Sequence, residues 1–142
     1  ISNNKIRHVY HKQKLPNYSV FDEKRWFTPG TNSSVFSFQG KKIGLNICED
    51  LWTSRVCNEQ NRKQVDFFIN ISASPYSNTK FDEIEKIVLQ RNKETKKPIL
   101  YVNQVGAQDG LVYYGHSMFV DKGKIVAKAK DFEEDVLIVD LD

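Results

Sequence analysis

The chain has few cysteines, with only Cys48 and Cys57 among its 142 residues. A disulfide between them is possible by count, but we expect both thiols to stay reduced, because disulfides persist mainly in oxidising compartments. The three histidines, His8, His11 and His116, do not stand at metal-ligand spacings from the cysteines. The sequence therefore favours neither a disulfide framework nor a structural metal site.

Long apolar runs and blocks of basic residues are also missing. No stretch approaches the roughly 20 apolar residues that a membrane-spanning helix needs, and the first residues lack the apolar centre of a signal peptide. The net charge is +3, with basic and acidic residues interspersed, which gives little support to nucleic-acid or membrane binding. With 39% hydrophobic and 27% charged residues, the composition is that of a globular protein, expected in the cytoplasm.

Apolar periodicity predicts a layered α/β fold. Helices are expected from Lys80 to Thr95, where apolar residues recur at helical spacing, and within residues 53–64. A long loop is expected over residues 16–34. Strands are expected at residues 5–11, on both sides of a turn at 39–40, at 65–74, at 98–106, on both sides of a turn at 121–123, and at 135–142. The strands at 65–74 and 98–106 are so apolar that burial on both faces is expected.

The segment KKIGLNICEDLW, residues 41–52, places Cys48 at the end of an apolar strand with Glu49 and Asp50 directly after it. A free cysteine is most often a small buried hydrophobic residue. The alternative is a nucleophile on a tight turn after a central strand, where α/β proteins place reacting groups. A thiolate needs a positive partner and a base, and neighbouring carboxylates disfavour ionisation. The local sequence by itself therefore favours the structural role.

Four segments, taken together and in this order, carry a resemblance that changes this interpretation: HKQKLPNYSVFDEKRWF (11–27), GLNICEDLW (44–52), NISASPY (70–76) and YVNQVGAQDGLVYYGHSMFVD (101–121). The set resembles the nitrilase, or carbon–nitrogen hydrolase, superfamily, and within it the glutamine-hydrolysing domains of glutamine-dependent NAD synthetases. The resemblance covers nearly the whole chain. It implies an α/β fold, a nitrilase-like four-layer αββα sandwich that is present here only as a partial domain, and hydrolysis of glutamine through a cysteine thioester.

The resemblance also implies a Glu–Lys–Cys triad, in which Cys48 matches the nucleophile. Lys12 matches the lysine, because two residues separate it from a Leu-Pro pair, and this spacing selects it over Lys14. Its ammonium would favour the thiolate and hydrogen-bond the oxyanion formed on attack. The glutamate has no match, since in the family it precedes the lysine strand, whereas Asp22 and Glu23 follow the lysine here.

Four further positions match substrate-binding residues of the family. Glu49 would seat the amino group of the substrate and Lys80 its α-carboxylate. Ser74 would bind the α-amino-acid end, and Tyr18 would line the glutamine pocket. Each position except Glu49 also has an ordinary interpretation, as a loop-anchoring aromatic at Tyr18, a turn cap at Ser74 and a solvated helix-start residue at Lys80. Asp50 is expected to be structural.

By the same resemblance, residues 1–142 form an internal part of a glutaminase domain. The segment with the glutamate would precede Ile1, and an ATP-dependent synthetase domain would lie outside the sequence. No cofactor is implied within these residues, whereas ATP and magnesium are expected in the synthetase domain. The expected partners are glutamine, the synthetase domain of the same full-length protein and further copies in a homo-oligomer, with no nucleic acid and no membrane.

Two other functions stay open at this level. One is hydrolysis of another small amide or nitrile, which would not need the polar cluster of Tyr18, Glu49, Ser74 and Lys80. The other is a non-catalytic scaffold, which the unmatched glutamate favours if Ile1 is the start of the protein. A partial domain would also expose strand edges and apolar faces. We therefore expect the isolated chain to fold poorly or to associate.

Overall fold

A mixed β-sheet forms the centre of the structure, a computed structural model that describes residue 1 and residues 3–141. The strands are β1 (Val35–Phe38), β2 (Lys41–Ile47), β3 (Phe67–Ser72), β4 (Ile99–Asn103), β5 (Val105–Gln108), β6 (Leu111–Tyr114), β7 (Met118–Asp121) and β8 (Lys124–Lys128). The helices are α1 (Glu23–Trp26), α2 (Ser54–Asn61) and α3 (Lys80–Thr95), and a 3₁₀ turn covers Cys48–Leu51. The central sheet has the order β1-β2-β3-β4-β7-β8, and β5 pairs with β6 beside it.

The three central strands β2, β3 and β4 run parallel, with Asn46 opposite Asn70 and Ile71 opposite Val102. The carboxyl ends of parallel strands meet at one edge of a sheet, where α/β proteins bind their ligands. The residues after β2, after β3 and at the end of β4 are therefore brought together. The small β5–β6 sheet lies beside this edge, since Tyr76 N–H donates to the Val112 carbonyl at 2.7 Å.

One face of the central sheet packs against α2 and α3. Gly44 lies on this face, and a Cβ added to it would stand 2.6 Å from the ring of Phe68. A side chain at this position would collide with the Phe68 ring on the paired strand β3, so the packing requires glycine here. The buried core on this side contains Leu51, Cys57, Val65, Phe68, Ile84, Val88, Ile99, Tyr101, Met118 and Val120.

The opposite face of the sheet is also apolar but only partly covered. Ile71 and Val102 face each other across β3 and β4 and are 44% and 47% exposed. The prediction that these strands are buried on both faces is therefore wrong at these two positions. The described helices α2 and α3 pack on the other face, so nothing comparable shields these side chains.

Several sequence predictions are confirmed by the observed elements. The helix from Lys80 to Thr95 is present with these bounds, and α2 lies within the second expected helix. Antiparallel pairs flank the turns at 39–40 and 121–123. Of the helices in the described part of the chain, none combines the length and the apolarity needed to cross a membrane.

Two strand predictions are wrong. Residues 6–11 form no strand, and the segment docks through side chains instead, with the His8 ring stacked on Phe36 at 5.2 Å between centroids. Residues 135–141 also form no strand, and Val136 and Ile138 are 84% and 86% exposed, while residue 142 lies outside the described residues. Both segments alternate like strands, but a strand also requires a partner to complete its ladder, and the described residues supply none.

Candidate active site

Cys48 stands directly after β2 and begins the 3₁₀ turn. Its φ of +44° lies in the left-handed region, which a residue with a Cβ adopts at a cost. The turn is held from within the sheet, because the buried Asn70 amide donates to the Cys48 carbonyl at 3.3 Å. The same amide donates to Asn46 Oδ1 at 2.6 Å. Buried side-chain amides thus stabilise a turn that presents the sulfur at the edge of the sheet.

Lys12 lies beside this turn as part of an ion pair. Its Nζ is 2.7 Å from each carboxylate oxygen of Glu23, the first residue of α1. Both side chains are largely shielded, with 15% and 23% exposed. Glu23 is not predicted as a partner of Lys12 by any fixed spacing, because the loop between them must fold back to join them. Charge complementarity across that loop is the one signal that points to the pair.

Lys12, Glu23 and Cys48 line one cavity of about 430 Å³. The rest of its wall is mostly apolar and includes Leu15, just before the long loop, and Phe21 and Phe27 within that loop. The loop therefore encloses the lysine and the sulfur in a partly desolvated space. In such a space the attraction between an ammonium and a thiolate is stronger than in water.

Cys48 also lines a second cavity, of about 190 Å³. All four predicted substrate-binding residues line this cavity: Tyr18, Glu49, Ser74 and Lys80. Their binding role stays a prediction, but the structure brings together side chains that are up to 62 positions apart in the sequence. The sulfur thus stands where two cavities meet.

The charged residues of the second cavity are held by neighbouring aromatic side chains. Tyr18 donates its hydroxyl to Glu49 Oε2 at 2.9 Å. Burial, reinforced by Glu49, raises the pKa of Tyr18 to about 12, so the hydroxyl stays a donor. The Lys80 ammonium lies 4.0 Å from the centroid of the Trp52 ring, a cation–π contact, and 3.6 Å from Glu83. A carboxylate and an ammonium are therefore both presented along one cavity.

Ser74 is buried at the sulfur end of this cavity. Its Oγ lies 3.8 Å from Cys48 Sγ, within reach of a weak hydrogen bond. The backbone N–H of Ser74 donates to Asn103 Oδ1 at 2.8 Å, so the last residue of β4 fixes the loop that follows β3. This contact depends on the parallel pairing of β3 and β4, which aligns their carboxyl ends.

The environment of Cys48 raises the pKa of its thiol. Burial is the main cause, and the charges of Glu49 and Glu23 add to it, while Lys12 and the contact with Ser74 act in the opposite direction. The thiol is therefore protonated at neutral pH, and a proton acceptor is needed to make the thiolate. The other free cysteine, Cys57, is fully buried in the core, where burial raises its pKa to about 12.

A mixed sheet with a cysteine on a tight turn after a central strand, and with a lysine lining the same cavity, is the arrangement that the resemblance predicts for a carbon–nitrogen hydrolase of the nitrilase fold. The comparison with known families agrees, because the carbon-nitrogen hydrolase model matches residues 1–142. This chain belongs to the carbon–nitrogen hydrolase family, and the resemblance and the fold class expected from the sequence are confirmed.

The curated relatives that match are glutamine-dependent NAD(+) synthetases. That of Acinetobacter baylyi is 36% identical over 135 residues, which are 94% of this chain and 25% of the relative. That of Aquifex aeolicus is 40% identical over 136 residues, or 94% of this chain and 24% of the relative. The chain therefore spans about a quarter of the length of these relatives.

Solved structures of related proteins are also similar to this chain. The glutamine-dependent NAD+ synthetase from Acinetobacter baumannii in complex with ADP matches with a TM-score of 0.87 and 37% identity, over 92% of this chain and 25% of that one. The carbon-nitrogen hydrolase from Helicobacter pylori G27 matches with a TM-score of 0.85 and 28% identity, over 92% and 50%. An amidase from Nesterenkonia AN1, of the nitrilase superfamily, shares the fold at 23% identity, with a TM-score of 0.74 over 85% and 45%.

Proposed function

We propose that this chain is part of a glutamine-hydrolysing domain, in which Cys48 attacks the side-chain amide carbon of glutamine and ammonia leaves. The observation that carries the proposal is the position of Cys48 between two cavities. One contains the Lys12–Glu23 pair and the other contains Glu49 and Lys80. The similarity to glutamine-dependent NAD(+) synthetases supports the same substrate.

The second cavity has the charges that an α-amino acid requires. Glu49 would accept the α-ammonium group and Lys80 would hold the α-carboxylate, with the side-chain amide directed at Cys48. A simple amide or nitrile would leave both charges without ligand partners, and an unmatched polar group in a partly buried site costs binding free energy. This charge pattern favours glutamine over the alternative of another small amide or nitrile.

The chemistry assigns distinct roles to the lysine and to the base. Lys12 would donate a hydrogen bond to the oxyanion that forms when the sulfur attacks the amide carbon. Glu23 would orient this lysine, since both carboxylate oxygens of Glu23 accept from Nζ. The acceptor of the thiol proton would be the family's glutamate, which we place before Ile1 in a longer protein.

The reaction would then proceed in two stages. The base takes the proton from Sγ as the C–S bond forms, and it returns that proton to the leaving nitrogen as the C–N bond breaks. Ammonia leaves and a thioester remains on Cys48. Water, deprotonated by the same base, attacks the thioester, releases glutamate and restores the thiol.

For the longer protein we propose a homo-oligomeric cytoplasmic ligase. Its ammonia would pass to a synthetase domain that uses ATP and magnesium to amidate nicotinic acid adenine dinucleotide. The support is that the matching relatives are glutamine-dependent NAD(+) synthetases of about four times this length. Residues 1–142 would then be an internal part of the glutaminase domain of this protein.

Labelling the full-length protein with a glutamine-like chloroketone or diazoketone tests the proposal by intact mass. We expect one adduct, which Cys48→Ala abolishes, whereas the matched control Cys57→Ala retains it. Glutamine should protect the thiol and acetamide should not. Protection by simple amides alone would indicate another carbon–nitrogen hydrolase. An unlabelled protein without glutaminase activity would indicate a non-catalytic scaffold.

A further inference from the structure

Asp50 has the most completely bonded side chain near the candidate site, although neither proposed reaction stage uses it. It is fully buried, with 0% exposed. Its Oδ1 accepts the backbone N–H groups of Gln13 at 3.0 Å and Lys14 at 2.8 Å. Its Oδ2 accepts the backbone N–H of Ile47 at 3.1 Å and the hydroxyl of Tyr10 at 2.8 Å. Four donors therefore surround one carboxylate.

These four donors come from both sides of the site. Ile47 immediately precedes Cys48, and the Gln13 N–H belongs to the peptide unit that starts at the carbonyl carbon of Lys12. One carboxylate is thus bonded beside the cysteine and beside the lysine. The segment from Tyr10 to Lys14 forms no strand, so no ladder of backbone hydrogen bonds fixes its position against β2.

We propose that Asp50 is a positioning residue that sets the Lys12 ammonium relative to Cys48 Sγ. This inference rests on the proposed function for its biological meaning, but the coupling itself is measurable without glutamine turnover. Asp50 touches neither reacting atom and acts through the backbone on both sides of the site.

The sign of the effect on the thiol separates this role from a direct electrostatic one. The charged groups that act on Cys48 are Lys12, Glu49 and Glu23, and Lys80 lines the same cavity. The tyrosines at positions 18, 101 and 114 also interact electrostatically with the thiol. Loss of a nearby carboxylate charge by itself would make the thiol more acidic. Displacement of the Lys12 ammonium would make it less acidic. The two explanations for any effect of Asp50→Asn therefore predict opposite shifts.

The experiment measures the rate of Cys48 alkylation by iodoacetamide against pH in the full-length protein, quantified on the Cys48 peptide by mass spectrometry. Asp50→Asn should raise the midpoint by about one pH unit, so that labelling below it is about tenfold slower. Lys12→Met should raise it as well, and the double variant should match Lys12→Met alone. The matched control is Asp66→Asn, because Asp66 also accepts a backbone N–H, from Lys42 at 2.6 Å, at the far end of β2.

Turnover gives a second readout. Asp50→Asn should lower kcat for glutamine on the order of 100-fold, the effect of a displacement near 1 Å, with a much smaller change in KM. If the midpoint falls or stays unchanged in a folded Asp50→Asn protein, or if its shift adds to that of Lys12→Met, the proposal is overturned. A midpoint that shifts as expected in a protein that does not hydrolyse glutamine refutes the proposed function and leaves the coupling intact.

A measurement on the native protein covers the case in which Asp50→Asn does not fold. The amides of Gln13 and Lys14 should exchange hydrogen at least about 100-fold more slowly than in the unfolded chain, because their acceptor is buried. Peptide-level exchange over residues 11–16 reports this directly. Rapid exchange would show that Asp50 does not fix the segment and would overturn the inference.

Discussion

Gly30 is the position where one added methyl group should disable the candidate site without changing any side chain that lines it. The Gly30 N–H donates to the Lys12 carbonyl at 2.8 Å, so the loop after α1 rests on the lysine segment. A Cβ at Gly30 would stand 2.3 Å from the backbone oxygen of His11 and 2.8 Å from its Cβ. Neither atom can be moved away by rotating a flexible side chain, so the backbone next to Lys12 must shift.

The magnitude follows from the contact distance. Moving the Cβ–oxygen pair from 2.3 Å to an ordinary contact of 3.4 Å requires a displacement of about 1 Å. A misplacement of this size costs on the order of 100-fold in rate, and overpacking typically destabilises a protein by about 1–3 kcal/mol. We therefore expect Gly30→Ala to lower glutamine hydrolysis about 100-fold in the full-length protein.

The assay must separate displacement from simple destabilisation, and Gly40 supplies the matched control. A Cβ at Gly40 meets nothing within 4 Å, but its φ of +78° is disfavoured for alanine, so Gly40→Ala should cost about 1 kcal/mol of stability while leaving the site in place. Cys48 alkylation, glutamine turnover and thermal unfolding are measured for both variants. Native labelling and turnover in a folded Gly30→Ala protein would refute the reasoning.

Three further predictions concern binding, acid stability and association. Glu49→Gln should raise KM for glutamine about 10- to 100-fold by loss of a charge-assisted contact, and an unchanged KM would show that Glu49 does not bind the substrate. Because Glu49 raises the pKa of Cys48, the same substitution should lower the pH midpoint of Cys48 alkylation. Although burial raises the pKa of Glu85, Lys128 and His116 lower it by more, to below 4.5. The contribution of Glu85 to the free energy of unfolding is therefore present above pH 4.5 and is lost as the pH falls through the folded pKa. Glu85→Gln should accordingly weaken the fall in urea stability at acid pH, and an unaltered fall would contradict this. The isolated 142-residue chain should associate through the face that exposes Ile71 and Val102, as gel filtration and circular dichroism would show, whereas a sharp cooperative melt from a monomer would count against it.

Local patterns predicted the fold where the determinants are local. The helix from Lys80 to Thr95 follows from apolar spacing within one segment, and the β1–β2 pair follows from the turn at Gln39-Gly40. Residues 6–11 and 135–141 alternate in the same way yet form no strands. Pairing depends on a partner strand, often distant in the sequence, and alternation alone does not reveal whether that partner is present.

The family motifs identified more residues of the candidate site than apolar periodicity did. Lys12 was distinguished from Lys14 by its spacing from the Leu-Pro pair, and in the structure Lys12 lines the cavity of Cys48. Lys14 instead contributes its backbone N–H to Asp50. Glu23 was missed, because its contact with Lys12 depends on how the connecting loop folds back and has no fixed spacing.

The two carboxylates after Cys48, Glu49 and Asp50, have different surroundings. Asp50 is surrounded by four donors, and Glu49 accepts from Tyr18 at the wall of the second cavity. The charge of Glu49 still raises the pKa of the thiol, yet burial is the larger cause. Both Glu23 oxygens accept from Lys12 Nζ, so the proposed reaction assigns the thiol proton to a different carboxylate, the family's glutamate in a longer protein.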